Sequence, residues 1–109
     1  MNDVLTLDDL AAPLLVLRLL AMDFGHLPAP SVRVSTIYPE QLELTFYGDL
    51  PGFEVWREAL GIAPDAVTYR EQSDGRTRVL RTTVDYAGAV VLLTGYADIV
   101  APVLVGGAA

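Results

Sequence analysis

Residues 66–98 alternate apolar and polar side chains and are interrupted twice by short glycine-containing turns. That pattern commits the second half of the chain to three antiparallel strands. The first interruption is Ser73-Asp74-Gly75-Arg76. A two-residue type I′ turn needs positive φ at both central positions, and Asp-Gly supplies this at low cost. The turn sets Glu71 opposite Arg78, Tyr69 opposite Leu80 and Val67 opposite Thr82. On the other side Arg70 meets Val79 and Thr68 meets Arg81. One face then carries Val67, Tyr69, Leu80, Val84 and Tyr86, and the other is mostly threonine and arginine, as in a half-buried sheet. The Glu71/Arg78 pair is an exposed cross-strand ion pair worth about 0–1 kcal/mol.

The second interruption, Ala87-Gly88, leaves two registers open. A two-residue loop puts Val91 and Leu93 on the core face. A three-residue loop with Gly88 as a left-handed bulge puts Val90 and Leu92 there instead. Either way two large apolar residues remain on the outer face. This marks a central or covered strand, or a surface that meets something else.

The first half supplies the remaining elements. A helix is expected over about residues 7–23, capped by Thr6, with Asp8 and Asp9 in its first turn. Leu10, Leu14, Leu17 and Ala21 form one apolar stripe, which Leu15, Leu19 and Leu20 widen until Arg18 is almost alone. A helix apolar nearly all round is buried on two sides. Gly25, Pro28 and Pro30 make 24–30 a connector. Two strands follow, about 31–37 and 41–47. A three-residue loop Tyr38-Pro39-Glu40 aligns Val34 with Leu44 and Val32 with Phe46, keeping both apolar sets on one side. A second helix spans about 50–60. It has Asp49 as N-cap, Pro51 in the first turn, Phe53, Trp56 and Leu60 as core stripe, and Glu54, Arg57 and Glu58 as wet face. Gly61 and Ile62 close it.

The order α-β-β-α-β-β-β describes an α+β domain over 1–109: an antiparallel sheet of about five strands with two helices on one face. The tail from about 99 to 109 is expected to be loose at its end.

Composition narrows the function. Of 109 residues 52% are hydrophobic, which is ample for a core and excludes a disordered acidic chain. There is no cysteine, hence no disulfide framework and no thiolate chemistry. The net charge is −7 and every basic residue is arginine, which argues against direct nucleic-acid binding. Residues 10–22 suggest a signal peptide, but the leader is acidic and Arg18 breaks the apolar run, which is also too short to span a membrane. The expected compartment is the cytoplasm, with no membrane association.

No constellation identifies a reaction. The single histidine, His26, lies in the connector and has no second histidine or cysteine with which to hold zinc. Ser31, Ser35 and Ser73 lack a nucleophile elbow, and no glycine-rich phosphate cradle precedes a helix. The carboxylates occupy helix starts, a wet helix face and turns. No catalytic residue, cofactor or metal is assigned.

The strongest candidate is the outer sheet face. If both helices cover one face, the other displays Arg33, Ser35, Glu43, Thr45, Tyr47, Thr68, Arg70, Arg81 and Thr83. The two-residue Ala87-Gly88 turn adds Val90, Leu92 and Tyr96. Tyrosine and arginine are enriched at binding hot spots. Arg33, Tyr47, Arg70, Arg81, Leu92 and Tyr96 are therefore the candidate protein-binding residues.

Three blocks carry a resemblance: Leu27-Pro28-Ala29-Pro30 through Ile37-Tyr38-Pro39, then Phe53 to Ile62, then Tyr86-Ala87-Gly88. Over about residues 10–97 the chain resembles short actinobacterial proteins of unassigned function. The absence of lysine and the Ala/Val/Leu/Arg bias suit a GC-rich genome. The resemblance implies a source and carries no activity, cofactor or site residue with it.

Three functions follow as expectations. The first is a small non-enzymatic protein-binding or regulatory protein, acting through a sheet or helix surface as a homodimer. The second is an acidic inhibitor of a basic nucleic-acid-processing protein, with carboxylates gathered on one face. The third is a small-ligand or enzymatic site between sheet and helices, which requires a concave pocket with convergent polar groups.

Overall fold

Short-range signals set most of the element boundaries in the computed structural model, which describes residues 4–72 and 75–99. A 3₁₀ turn, Leu7–Leu10, leads into α1 (Ala11–Asp23), followed by β1 (Ser31–Val34), β2 (Gln41–Tyr47) and α2 (Leu50–Ala59). A second 3₁₀ turn, Pro64–Ala66, precedes β3 (Thr68–Gln72), β4 (Thr77–Tyr86) and β5 (Ala89–Asp98). The Thr6 N–H donates to the Asp9 carboxylate at 2.8 Å, closing the chain into the first turn. Pro13 lies just inside α1, where its missing N–H costs little.

The fold is α+β with a five-stranded sheet ordered β1-β2-β5-β4-β3. The sheet is mixed, and this corrects the antiparallel expectation: β5 lies beside β2 and runs parallel to it, while the other neighbours are antiparallel. The physical reason is the run Val90-Val91-Leu92-Leu93. A strand apolar on both sides is most stable in the middle of a sheet, and inserting β5 between β2 and β4 puts it there.

Ala87 and Gly88 adopt φ +48° and +96°, and Tyr86 pairs with Ala89. The loop is therefore the two-residue alternative, with Val91 and Leu93 on the helix side. In the β3–β4 hairpin Glu71 pairs with Arg78, Tyr69 with Leu80 and Thr68 with Arg81. Ser73 and Asp74 of its turn lie outside the described residues. So do residues 100–109, where the loose tail was expected. The Glu71/Arg78 pair closes no ion pair. Glu71 accepts from the Tyr69 hydroxyl at 2.9 Å, and the Arg78 guanidinium lies 5.9 Å from the Tyr69 ring centre.

Between β1 and β2 the register differs by two residues from expectation: Val34 pairs with Leu42 and Val32 with Leu44. β1 ends at Val34, and the link turns twice. The Ile37 N–H donates to Ser35 Oγ at 3.1 Å, and the Gln41 N–H to the Tyr38 carbonyl at 3.0 Å. A two-residue slip keeps every side chain on its own face, so the apolar sets still coincide.

Both helices lie on one face. Val16 and Leu20 of α1 and Phe53 and Trp56 of α2 pack with Leu42, Leu44, Phe46, Val91 and Leu93. The buried stripe of α1 is Pro13, Val16 and Leu20, whereas Leu14 and Leu15 are exposed. This corrects the expected Leu10-Leu14-Leu17-Ala21 stripe: within the chain the helix buries one side, with Leu10 and Leu17 half-buried at its margins.

α2 follows its local signals. Asp49 accepts from the Gly52 N–H at 3.0 Å. Gly61 at φ +72° lets its own N–H reach the Glu58 carbonyl and the Ile62 N–H reach that of Arg57, each at 3.0 Å, a complete Schellman closure. Arg57 departs from the expected wet face. It is 8% exposed and donates to the Ile62 carbonyl and to Glu54. The side chain thus folds over the closure and satisfies the Ile62 carbonyl, just past the helix end. Among the described residues no helix is long and apolar enough to cross a membrane.

Candidate functional site

The face away from the helices is built by strand parity in rows that cross the sheet. Ser31, Thr45, Thr94, Arg81 and Thr68 form one row through successive pairings. Tyr47, Tyr96, Val79 and Arg70 form the row beside it, towards the C-terminal ends of β2 and β5. Arg33, Glu43, Leu92 and Thr83 form the row on the opposite side. Ser31, Thr45 and Thr94 are small, and the rows on either side carry long side chains. The result is a groove of about 330 Å³ floored by hydroxyl groups.

Five of the six candidate residues line this groove: Arg33, Tyr47, Arg81, Leu92 and Tyr96. Arg70 lies outside it, across Val79, where it lines a smaller depression with Thr68 and Arg81. Ser35 is not on the strand face, because it falls in the link beyond β1. Ser31 and Thr94 belong to the groove and were not among the candidate residues. Each lies two residues from one, Arg33 and Tyr96, so strand parity alone places them on the same face.

Parallel pairing decides the shape of the groove's wall. Tyr47 and Tyr96 are direct partners on β2 and β5, and their rings stack with centroids 5.4 Å apart and 7° between planes. Tyr47 is 69% exposed, so the stack stands up as a ridge. Val79, next to Tyr96 in register, is 2% exposed although it faces away from the helices. Its neighbours on this face are long side chains, Arg70 and Tyr96 across the strands and Arg81 along β4.

The charges on this face balance. Among the described residues it holds three arginines (Arg33, Arg70, Arg81) and three carboxylates (Glu43, Asp85, Asp98). These six side chains contribute nothing to the net charge of −7. In the helix layer Asp8, Asp9, Asp23, Glu54, Glu58 and Asp65 are exposed, against Arg18.

The helix side offers a different kind of space. A cleft of about 180 Å³ lies between the end of α1, the 24–30 connector and β1, bordered by Leu17, Phe24, Leu27, Val32 and Trp56. Its wall is held by the Trp56 indole N–H, which donates to the Pro28 carbonyl at 2.7 Å, and by the Phe24 ring edge-on to Trp56 at 5.9 Å. The lining is apolar, and its one indole donor is already used. The convergent polar groups that a small-ligand or enzymatic site requires are not gathered there. His26 is exposed in the connector. No group of three or more metal-ligating side chains is gathered among the described residues.

Comparison with family models, curated proteins and solved structures gives no match. The reading of this face accordingly rests on its own chemistry.

Proposed function

We propose that the chain is a small non-enzymatic protein-binding or regulatory protein that works as a homodimer through the open face of its sheet. The observation that carries this reading is the neutral, mixed-sign face on a chain of net charge −7. Two strongly acidic copies repel each other through most of their surfaces. The cheapest approach is through a broad face whose strand residues carry the two signs in equal number. The tyrosine ridge and the arginines beside it are the residue types that anchor interfaces.

The area is sufficient. Five strands about 4.8 Å apart and about 15–30 Å long cover roughly 600 Å². Two such faces bury roughly 1,200 Å², at the lower bound of stable interfaces. We read the compartment as the cytoplasm, on the sequence grounds given above.

Light scattering across a dilution series tests the proposal. The expected mass is twice the 11.7 kDa of the chain, falling towards one copy in Arg81→Glu and Tyr47→Ala. A monomeric wild type, or a dimer indifferent to both substitutions, overturns it.

A second reading has one observation in its favour. The acidic helix layer suits an inhibitor of a basic nucleic-acid-processing protein. That binding would weaken steeply with salt, and a partner retained equally well at high and low salt would exclude it.

A further inference from the structure

The open face carries its own complement. Its ridge, Tyr47 and Tyr96, lies directly beside its groove, which is floored by Thr45 and Thr94. We propose that two copies interlock about a two-fold axis that crosses the strands between these two rows, so that the tyrosine pair of each copy fills the groove of the other. The inference rests on the homodimer reading and specifies its geometry.

Two sheets that pack face to face are related by an axis lying in the plane between them. An axis across the strands leaves each strand over its own counterpart and reverses its direction. Placed between the two rows, it sets Tyr47 against the partner's Thr45 and Tyr96 against the partner's Thr94, and the symmetry repeats both contacts. Large side chains then meet small ones, which is how two sheets about 10 Å apart fill the space between them. The same axis brings Arg81 over the partner's Val79, whose register neighbours are Tyr96 on one side and Arg70 on the other. The guanidinium thereby reaches an aromatic face in the partner.

An axis along the strands, between β2 and β5, does the opposite. It sets Tyr47 against the partner's Tyr96 and Thr45 against the partner's Thr94. The ridges collide and the grooves face each other empty. Mutual filling is available only to the first arrangement.

The two arrangements differ most at the edge of the sheet. The cross-strand axis lays β3 over β3, with Thr68 facing the partner's Arg70. The strand-parallel axis moves β3 past the partner's β1 and sets Arg33 against the partner's Thr83. All four residues are exposed, and the chain contains no cysteine, so introduced thiols tolerate a short bismaleimide cleanly.

Thr68→Cys and Arg70→Cys are prepared separately, mixed and cross-linked, in parallel with an Arg33→Cys and Thr83→Cys mixture. Light scattering of uncross-linked protein accompanies both. The expected result is a dimer in which the Thr68/Arg70 mixture links severalfold faster than either variant alone. A dimer linked through Arg33/Thr83 overturns the interlock and leaves the homodimer standing. A dimer linked by neither mixture also overturns it. A monomer removes interlock and homodimer together.

Discussion

Tyr47 and Tyr96 are register partners on neighbouring parallel strands, and their rings stack 5.4 Å apart at 7°. The first belongs to a strand that precedes α2 in the chain and the second to the last strand in chain order. Their contact therefore reports directly on the parallel insertion of β5. A double-mutant cycle with Tyr47→Ala and Tyr96→Ala, read by urea unfolding, is expected to show a coupling of about 0.5–1.5 kcal/mol. Simple additivity would mean that the stack is not formed in solution.

The phase of α1 gives a second expectation. Leu20 is 1% exposed in the core, and Leu15, five residues earlier, is 53% exposed. Leu20→Ala is expected to cost about 2–5 kcal/mol. Leu15→Ala is expected to stay within about 0.5 kcal/mol. Denaturant midpoints at a common slope decide it. Equal losses would mean that α1 buries a different stripe.

Trp56 ties α2 to the connector through the Pro28 carbonyl. Trp56→Phe keeps an aromatic ring beside Phe24 and removes the donor. Stability is expected to fall by about 1–2 kcal/mol, followed by far-UV circular dichroism because the sole tryptophan is gone. A Tm matching wild type would show that water replaces this hydrogen bond without cost.

Arg57 has a specific pH signature. Its hydrogen bond to Glu54, together with the charges of Glu54 and Glu58, raises it above the ordinary arginine value against the opposing effect of desolvation. A group whose folded pKa is raised stabilises fully below its unfolded pKa and loses that stabilisation only as pH climbs through the folded one. Both lie beyond the working range. Arg57→Met should therefore lower Tm by an amount that does not change between about pH 6 and 10. A difference that shrinks as pH rises within that window would contradict the assignment.

The open face was partly legible before any coordinates. Arg33, Tyr47 and Arg81 fall on this side by the period of two once the apolar sets of their strands face the core, whereas Leu92 and Tyr96 join them only when Ala87-Gly88 forms the two-residue turn. The groove between them was not legible. It depends on Thr45 and Thr94 lying side by side, which follows from β2 pairing with β5, two strands far apart in the chain.

Local chemistry alone determined the elements and much of their pairing. Asp49 and Gly61 bound α2, and Ala87-Gly88 makes a tight turn. Each acts over a few residues, so the information is contiguous in the chain. Tertiary structure decided what has no local signature. α1 is apolar on nearly every side, so its own residues do not choose which stripe faces the sheet. The sheet beneath chose Val16 and Leu20. Arg57 looks like any helix-surface arginine until the closure at Gly61 and Ile62 brings a carbonyl within its reach. The insertion of β5 between β2 and β4 reflects burial of Val91 and Leu93 beneath the helices and partial cover of Val90 and Leu92 by the strands on either side, a gain that exists only once those strands and helices are in place.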